Sequence, residues 1–225
     1  MSHPPFTFIH PSNIMLAAPS QAGKTHFLVR ALELGMFYPR PTRVVWVYGE
    51  SQGDHERLDA LTAQGKLPKV EFLRNETNYA DIIEDFDPNE TNLLILDDQM
   101  NEGKSNSRQF DNIFTKGSHH RNISVVLLIQ NVFEKGFRTI SLNAHYIVLF
   151  KSPRDQRQVQ VLGSQMYPAN PNFIRDVYID ATEQPHSYLL LDFHQETPDE
   201  LRVKADVTAK SVRVYVPPSF TEQKH

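Results

Sequence analysis

The stretch Ala18-Pro19-Ser20-Gln21-Ala22-Gly23-Lys24-Thr25 constrains this chain more than any other. It follows a short apolar run, Ile14 to Ala17, and precedes Phe27-Leu28-Val29-Arg30-Ala31-Leu32, whose apolar positions recur at helical spacing. The order is therefore strand, loop, helix. A loop of the pattern GxxxxGK[ST] in this setting closes its backbone N–H groups, and the positive end of the helix behind it, around a di- or triphosphate. Lys24 then reaches the outer phosphates and the Thr25 hydroxyl holds Mg²⁺. The first position of the pattern is Ala18, so the loop is expected to make its opening turn without the residue most tolerant of positive φ.

Apolar runs alternate with amphipathic stretches through most of the remaining sequence. Strands are predicted at Arg43–Tyr48, Lys69–Leu73, Asn92–Asp98, Ser124–Ile129, Tyr146–Phe150 and Tyr188–Phe193, with weaker ones at Arg202–Ala205 and Val212–Val216. Helices are predicted at Asp54–Ala63, at Tyr79–Phe86 behind an Asn78 cap, at Ser107–Lys116 ending at Gly117, at Asp155–Met166 and at Asn172–Ile179. This rhythm predicts an α/β fold with a mostly parallel sheet, helices on both faces and a C-terminal extension of the same sheet. All 225 residues are expected to form one domain, with 1–11 as an extended lead-in and 217–225 as a loose tail.

In such a sheet, ligands sit at the carboxyl ends of the strands. Asp97 and Asp98 close the fourth apolar run there. Asp97 is placed to hold the Mg²⁺ of a bound nucleotide, and Asp98 to accept a proton from an attacking water. Gln130 ends another apolar run and is placed to contact the outermost phosphate. A cation for the transition state is sought in Arg121, with Arg138 and Arg154 as alternatives. His119-His120 lacks the cysteine or carboxylate set of a metal site. With Lys116 and Arg121 it forms a small basic cluster able to touch DNA phosphates.

Composition narrows the function classes. Cysteine is absent, which removes disulfides, zinc–thiolate sites and thiol nucleophiles. The net charge of −4 argues against a surface that binds nucleic acid all over, while leaving room for a local basic patch. No basic-and-apolar leader opens the sequence and no apolar run is long enough for a bilayer, so an intracellular protein without membrane contact is expected.

Three stretches carry a family resemblance: Ala18–Thr25, Asn92–Asp98 and Phe114–Asn131. With Val47–Glu50, Ile140–Asp155 and Tyr188–Phe193, they resemble the genome-packaging ATPases of double-jelly-roll DNA viruses and Polinton/Maverick-type elements, of poxvirus or adintovirus type. These form part of the FtsK/HerA-like branch of P-loop ATPases. The resemblance implies strand order 5-1-4-3-2, in which the Gln130 strand separates the strands bearing Lys24 and Asp97. It implies ATP and Mg²⁺ as cofactors, and nucleotide contacts from Ala18, Pro19, Ser20, Gln21, Ala22, Gly23, Lys24, Thr25 and His26. Thr25 and Asp97 match the metal side, Asp98 the base, Gln130 the sensor and, more loosely, Arg121 a finger acting on a neighbouring subunit. A homo-oligomeric ring, a hexamer by analogy, that drives double-stranded DNA into a preformed capsid at a vertex is the implied assembly, in the host nucleus or viral factory or associated with the virion. Relatives usually have glycine at Ala18 and often at Gln21, and many related motors have glutamate at Asp98. Two other classes fit the loop alone, a P-loop kinase of a small substrate and a non-catalytic P-loop scaffold.

Overall fold

The protein is described by a computed structural model covering residues 4–49, 55–74, 78–97, 113–114, 122–131 and 138–218. The elements that build the sheet are β2 (Asn13–Ala17), β4 (Arg43–Tyr48), β5 (Val70–Arg74), β6 (Asn92–Asp97), β7 (Ile123–Ile129), β8 (Tyr146–Phe150), β9 (Tyr188–Asp192), β10 (Val203–Ala205) and β11 (Arg213–Val214). Two further short strands, β1 (Phe8–Ile9) and β3 (Phe37–Tyr38), pair in parallel as a separate ribbon. Helices α1 (Lys24–Glu33), α2 (His55–Ala63), α3 (Tyr79–Asp85), α4 (Arg138–Leu142), α5 (Gln156–Met166) and α6 (Phe173–Ala181) connect them.

The nine strands lie in the order β11-β10-β9-β8-β2-β7-β6-β4-β5. Every neighbouring pair from β8 to β5 is parallel, whereas β9, β10 and β11 each run antiparallel to the strand before. The sheet thus differs from a five-strand 5-1-4-3-2 order. Val70–Arg74 takes the edge beyond β4, a place the five-strand order does not provide, and three antiparallel strands extend the other edge. Within it, β7 separates β2 from β6.

Burial on both faces explains why β2, β6, β7 and β8 read as unbroken apolar runs: every residue in them is buried. Ile14, Leu16, Leu93, Ile95, Val126 and Leu128 point to one side, against Phe27, Leu28, Ala31 and Leu32 of α1 and Leu58 and Leu61 of α2. Their alternating neighbours Met15, Ala17, Leu94, Leu96, Val125 and Leu127 face α3, α5 and α6, through Tyr79, Ile82, Val159, Ile174 and Tyr178. The Asn78 side chain accepts the Ala80 N–H at 3.2 Å and caps α3. Ile113 and Phe114 are buried. The rest of the helix expected at Ser107–Lys116, with its Gly117 cap, lies outside the described residues, as do His119 and His120.

The lead-in is fastened to the end of the sheet where β2 begins. Asn122 donates its side-chain N–H to Glu90 O at 2.8 Å, which turns its Oδ1 towards His10 Nε2 at 3.0 Å. His10 Nε2 therefore donates, and Nδ1 accepts from the Ser124 hydroxyl at 2.6 Å. Burial pushes the His10 pKa down, against the hydrogen bonds to Asn122.

Candidate nucleotide-binding site

After β2 the chain makes one ladder-type contact, Ala18 N–H to Ile129 O at 3.1 Å, and then leaves the sheet. Ala18 is buried and is not among the residues with positive φ, so glycine is not required at that position. The left-handed positions fall later, at Gln21 (φ 63°) and Gly23 (φ 105°). Between them the Ala22 N–H bonds back to Pro19 O at 3.2 Å, which closes the loop as a turn. The pattern therefore asks for glycine at Gly23 and favours it at Gln21. The alanine at Ala18 therefore carries no backbone strain from a positive φ.

Gly23 is the N-cap of α1, and no side chain caps that end. The first turn of α1 also contains no acidic residue, so its positive end suits an anion. Successive left- and right-handed residues at Gly23 and Lys24 form the kind of concave N–H arrangement that suits phosphate oxygens. Lys24 Nζ donates to Ala18 O at 2.8 Å, which lays the ammonium group across the loop. Thr25 follows in the first turn, half-buried, and His26 is exposed on α1.

Strand register fixes where Asp97 stands relative to this loop. Leu128 of β7 is paired with Leu16 on one side and with Asp97 on the other. All three strands are parallel, so Asp97 ends its strand level with the residue two before Ala18. The separation is two strand spacings, about 10 Å. The Asp97 side chain is buried, 5% exposed, at the mouth of the sheet. Gln130 follows Ile129, the residue whose carbonyl holds Ala18, and is exposed between the two strand ends. Asn131 Nδ2 lies 3.5 Å from Asp155 Oδ1 at the start of α5.

Two of the other expected site residues fall among the described residues. Arg154 is exposed in the turn after β8, at the same end of the sheet as the loop. Arg138 opens α4, which leads to the entry of β8 at the opposite end. Asp98 and Arg121 lie outside the described residues. Among the described residues no group of three or more His, Cys, Asp or Glu side chains gathers as a metal cage. The donor set that remains, one buried carboxylate and one hydroxyl, suits Mg²⁺, which takes few protein ligands and completes its shell with water and phosphate oxygens. No helix among the described residues is long and apolar enough to cross a membrane.

The structure adds one residue to the site. His186, in the turn between α6 and β9, directs Nδ1 at Ala22 O, 3.2 Å away. Nothing in the sequence signalled this contact, which joins positions 164 residues apart.

No known family of sequences matches this chain, and no curated protein does either. Among solved structures, it superimposes on the genome packaging NTPase B204 from Sulfolobus turreted icosahedral virus 2 in complex with sulfate. That match has a TM-score of 0.55 and 12% identity, over 92% of this chain and 97% of that one. The KaiC-like protein PH0186 from Pyrococcus horikoshii OT3 matches with a TM-score of 0.50 and 11% identity, over 92% and 90%. At these identities the likeness is one of fold. The chain shares with them an α/β fold with a large, mostly parallel sheet and helices on both faces.

Proposed function

We propose that this chain is an ATP-hydrolysing motor that moves double-stranded DNA into a preformed capsid, working as a homo-oligomeric ring. The observation that carries the reading is the convergence of the Lys24 loop and buried Asp97 on one end of the sheet, with Gln130 exposed between them. The choice of motor over other enzymes of this fold rests on analogy with a viral genome packaging NTPase of the same fold.

In this reading the loop N–H groups from Gly23 onwards and the Lys24 ammonium group bind and orient the phosphates. Lys24 leaves the Ala18 carbonyl for a phosphate oxygen, exchanging a neutral acceptor for an anionic one, which makes the stronger hydrogen bond. Thr25 and Asp97 would hold Mg²⁺, whose charge offsets that of the phosphates. Asp98 takes the proton of the attacking water. Gln130 fixes that water or the terminal phosphate and changes its contacts once the bond is cut. The finger is Arg121, with Arg138 and Arg154 as the alternatives, reaching a neighbouring subunit's phosphates.

ATP hydrolysis measured with and without double-stranded DNA, on protein separated by size, tests the proposal. Turnover that rises with DNA and is confined to a ring-sized species is expected. Hydrolysis indifferent to DNA together with phosphorylation of a nucleoside would replace the motor with a small-substrate kinase. Genome packaging that survives Lys24→Ala would leave only a scaffold.

A further inference from the structure

The chain brings a distant turn onto the phosphate loop. β9 runs antiparallel to β8, so the turn that feeds it, residues 182–187, lies at the same end of the sheet as the loop. This turn is anchored on several sides. Lys151 Nζ donates to Glu183 O at 2.8 Å, and both the N–H and the hydroxyl of Ser187 bond to Gln184 O. One residue on, the Tyr188 ring packs edge-on to Phe27 of α1, with centroids 4.7 Å apart. His186 is therefore presented by a built segment.

Two features of His186 mark it out. Its backbone is left-handed, φ 63°, a conformation uncommon for residues with a Cβ although histidine enters it more readily than most. Its ring lies over the loop's glycine: a Cβ built on Gly23 would sit 3.4 Å from His186 Nδ1 and 3.6 Å from His186 Cβ. The Ala22 carbonyl can only accept, so the hydrogen bond requires the proton on Nδ1. In a trans peptide the C=O and the following N–H point in opposite directions. Holding Ala22 O towards His186 therefore holds the Gly23 N–H away from it.

We infer that His186 is a positioning residue of the phosphate loop: by fixing the Ala22–Gly23 peptide it keeps the Gly23 N–H turned to the bound anion, and so sets the affinity of the nucleotide without touching the reacting atoms. The inference rests on reading the Lys24 loop as a nucleotide site. It also means that the antiparallel half of the sheet, which carries none of the phosphate ligands, takes part in holding them.

The test compares His186→Ala, His186→Asn and His186→Gly with wild type and Lys24→Ala, reading KM for ATP, kcat, equilibrium binding of ATP and melting temperature. Asparagine keeps a donor near the Nδ1 position and tolerates φ > 0, whereas glycine tolerates φ > 0 and has no donor. A single neutral hydrogen bond to the loop corresponds to roughly a five- to ten-fold rise in KM for His186→Ala and for His186→Gly. In both, kcat should stay within about two-fold of wild type, because the reacting groups are untouched. His186→Asn should restore KM. Restoration by glycine as well as by asparagine would overturn the inference, since only the backbone of the turn would then matter. Unchanged KM in His186→Ala, with ATP binding lost in Lys24→Ala, would overturn it while leaving the nucleotide site intact. Wild-type protein that binds no ATP, or Lys24→Ala that binds it equally well, would remove the nucleotide site and this inference together.

Discussion

Exchanging the glycine at one left-handed position of the loop and adding one at the other should move stability in opposite directions. At Gly23, φ is 105° and ψ 15°, beyond the left-handed well that an L-residue can enter. Alanine there costs about 1–2 kcal/mol of backbone strain, offset by the 0.4–1 kcal/mol or so that a side chain removes from the entropy of the unfolded chain. Space is not the obstacle, because the new Cβ would meet its nearest neighbour, His186 Nδ1, at 3.4 Å. The net loss is about 1 kcal/mol, which lowers Tm by about 2–4 °C in a chain of this size. Gln21, at φ 63°, is the mirror case, and Gln21→Gly should gain about 0.5 kcal/mol. Thermal unfolding by circular dichroism reads the first effect, and calorimetric titration with ATP the second. Gly23→Ala should also bind ATP at least about ten-fold more weakly, because relaxing φ turns both flanking N–H groups away from the anion. Gln21→Gly should bind it as wild type does. A Gly23→Ala protein with wild-type Tm and wild-type affinity would refute the claim that this glycine shapes the loop.

Two further predictions concern the opposite end of the sheet. Lys204 Nζ lies 2.7 Å from Asp192 Oδ2 with both side chains buried, so Lys204→Ala should strand the carboxylate and lose about 3–5 kcal/mol in urea unfolding. Asp192 is level with Tyr146 at the entry of β8, far from the loop, so ATP affinity should be unchanged; a large loss of affinity would contradict the separation of the two ends. The His10 pKa is lowered by burial from 6.5, so its neutral form stabilises the fold fully above pH 6.5. That stability should be lost as pH falls through the lowered folded value, with a slope of up to about 1.4 kcal/mol per pH unit. Urea unfolding between about pH 7.5 and 5 checks this, and His10→Gln should flatten the profile.

The parallel core was legible because its strands are buried on both faces. A run such as Ile123-Ser124-Val125-Val126-Leu127-Leu128-Ile129 has no polar alternation to confuse it with a surface strand. The loop between β2 and α1 was legible for a different reason, its pattern being local in sequence. The place of the opening turn was not legible: the left-handed φ falls at Gln21 and Gly23 and not at Ala18. β1 and β3 span two residues each, too few for any periodicity to register. The Asp192–Lys204 pair was hidden because nothing in β10 marks a lysine as inward-facing until β9 is laid beside it. His186 was hidden because its meaning comes from a turn that folds back over residues of α1's N-terminus. The edge place of β5 was not legible either, since its pattern of one buried residue among partly exposed ones fits any outer strand.

The claim on which the motor depends is that Lys24 and Asp97 serve one bound nucleotide. Titration of ATP in the presence and absence of Mg²⁺ into wild type, Lys24→Ala and Asp97→Asn tests it most directly. The account predicts loss of binding by at least about 100-fold in Lys24→Ala, as for a charge-assisted contact removed from a phosphate site. For Asp97→Asn it predicts ATP binding that Mg²⁺ no longer strengthens. Equal, Mg²⁺-dependent binding in all three proteins would contradict it.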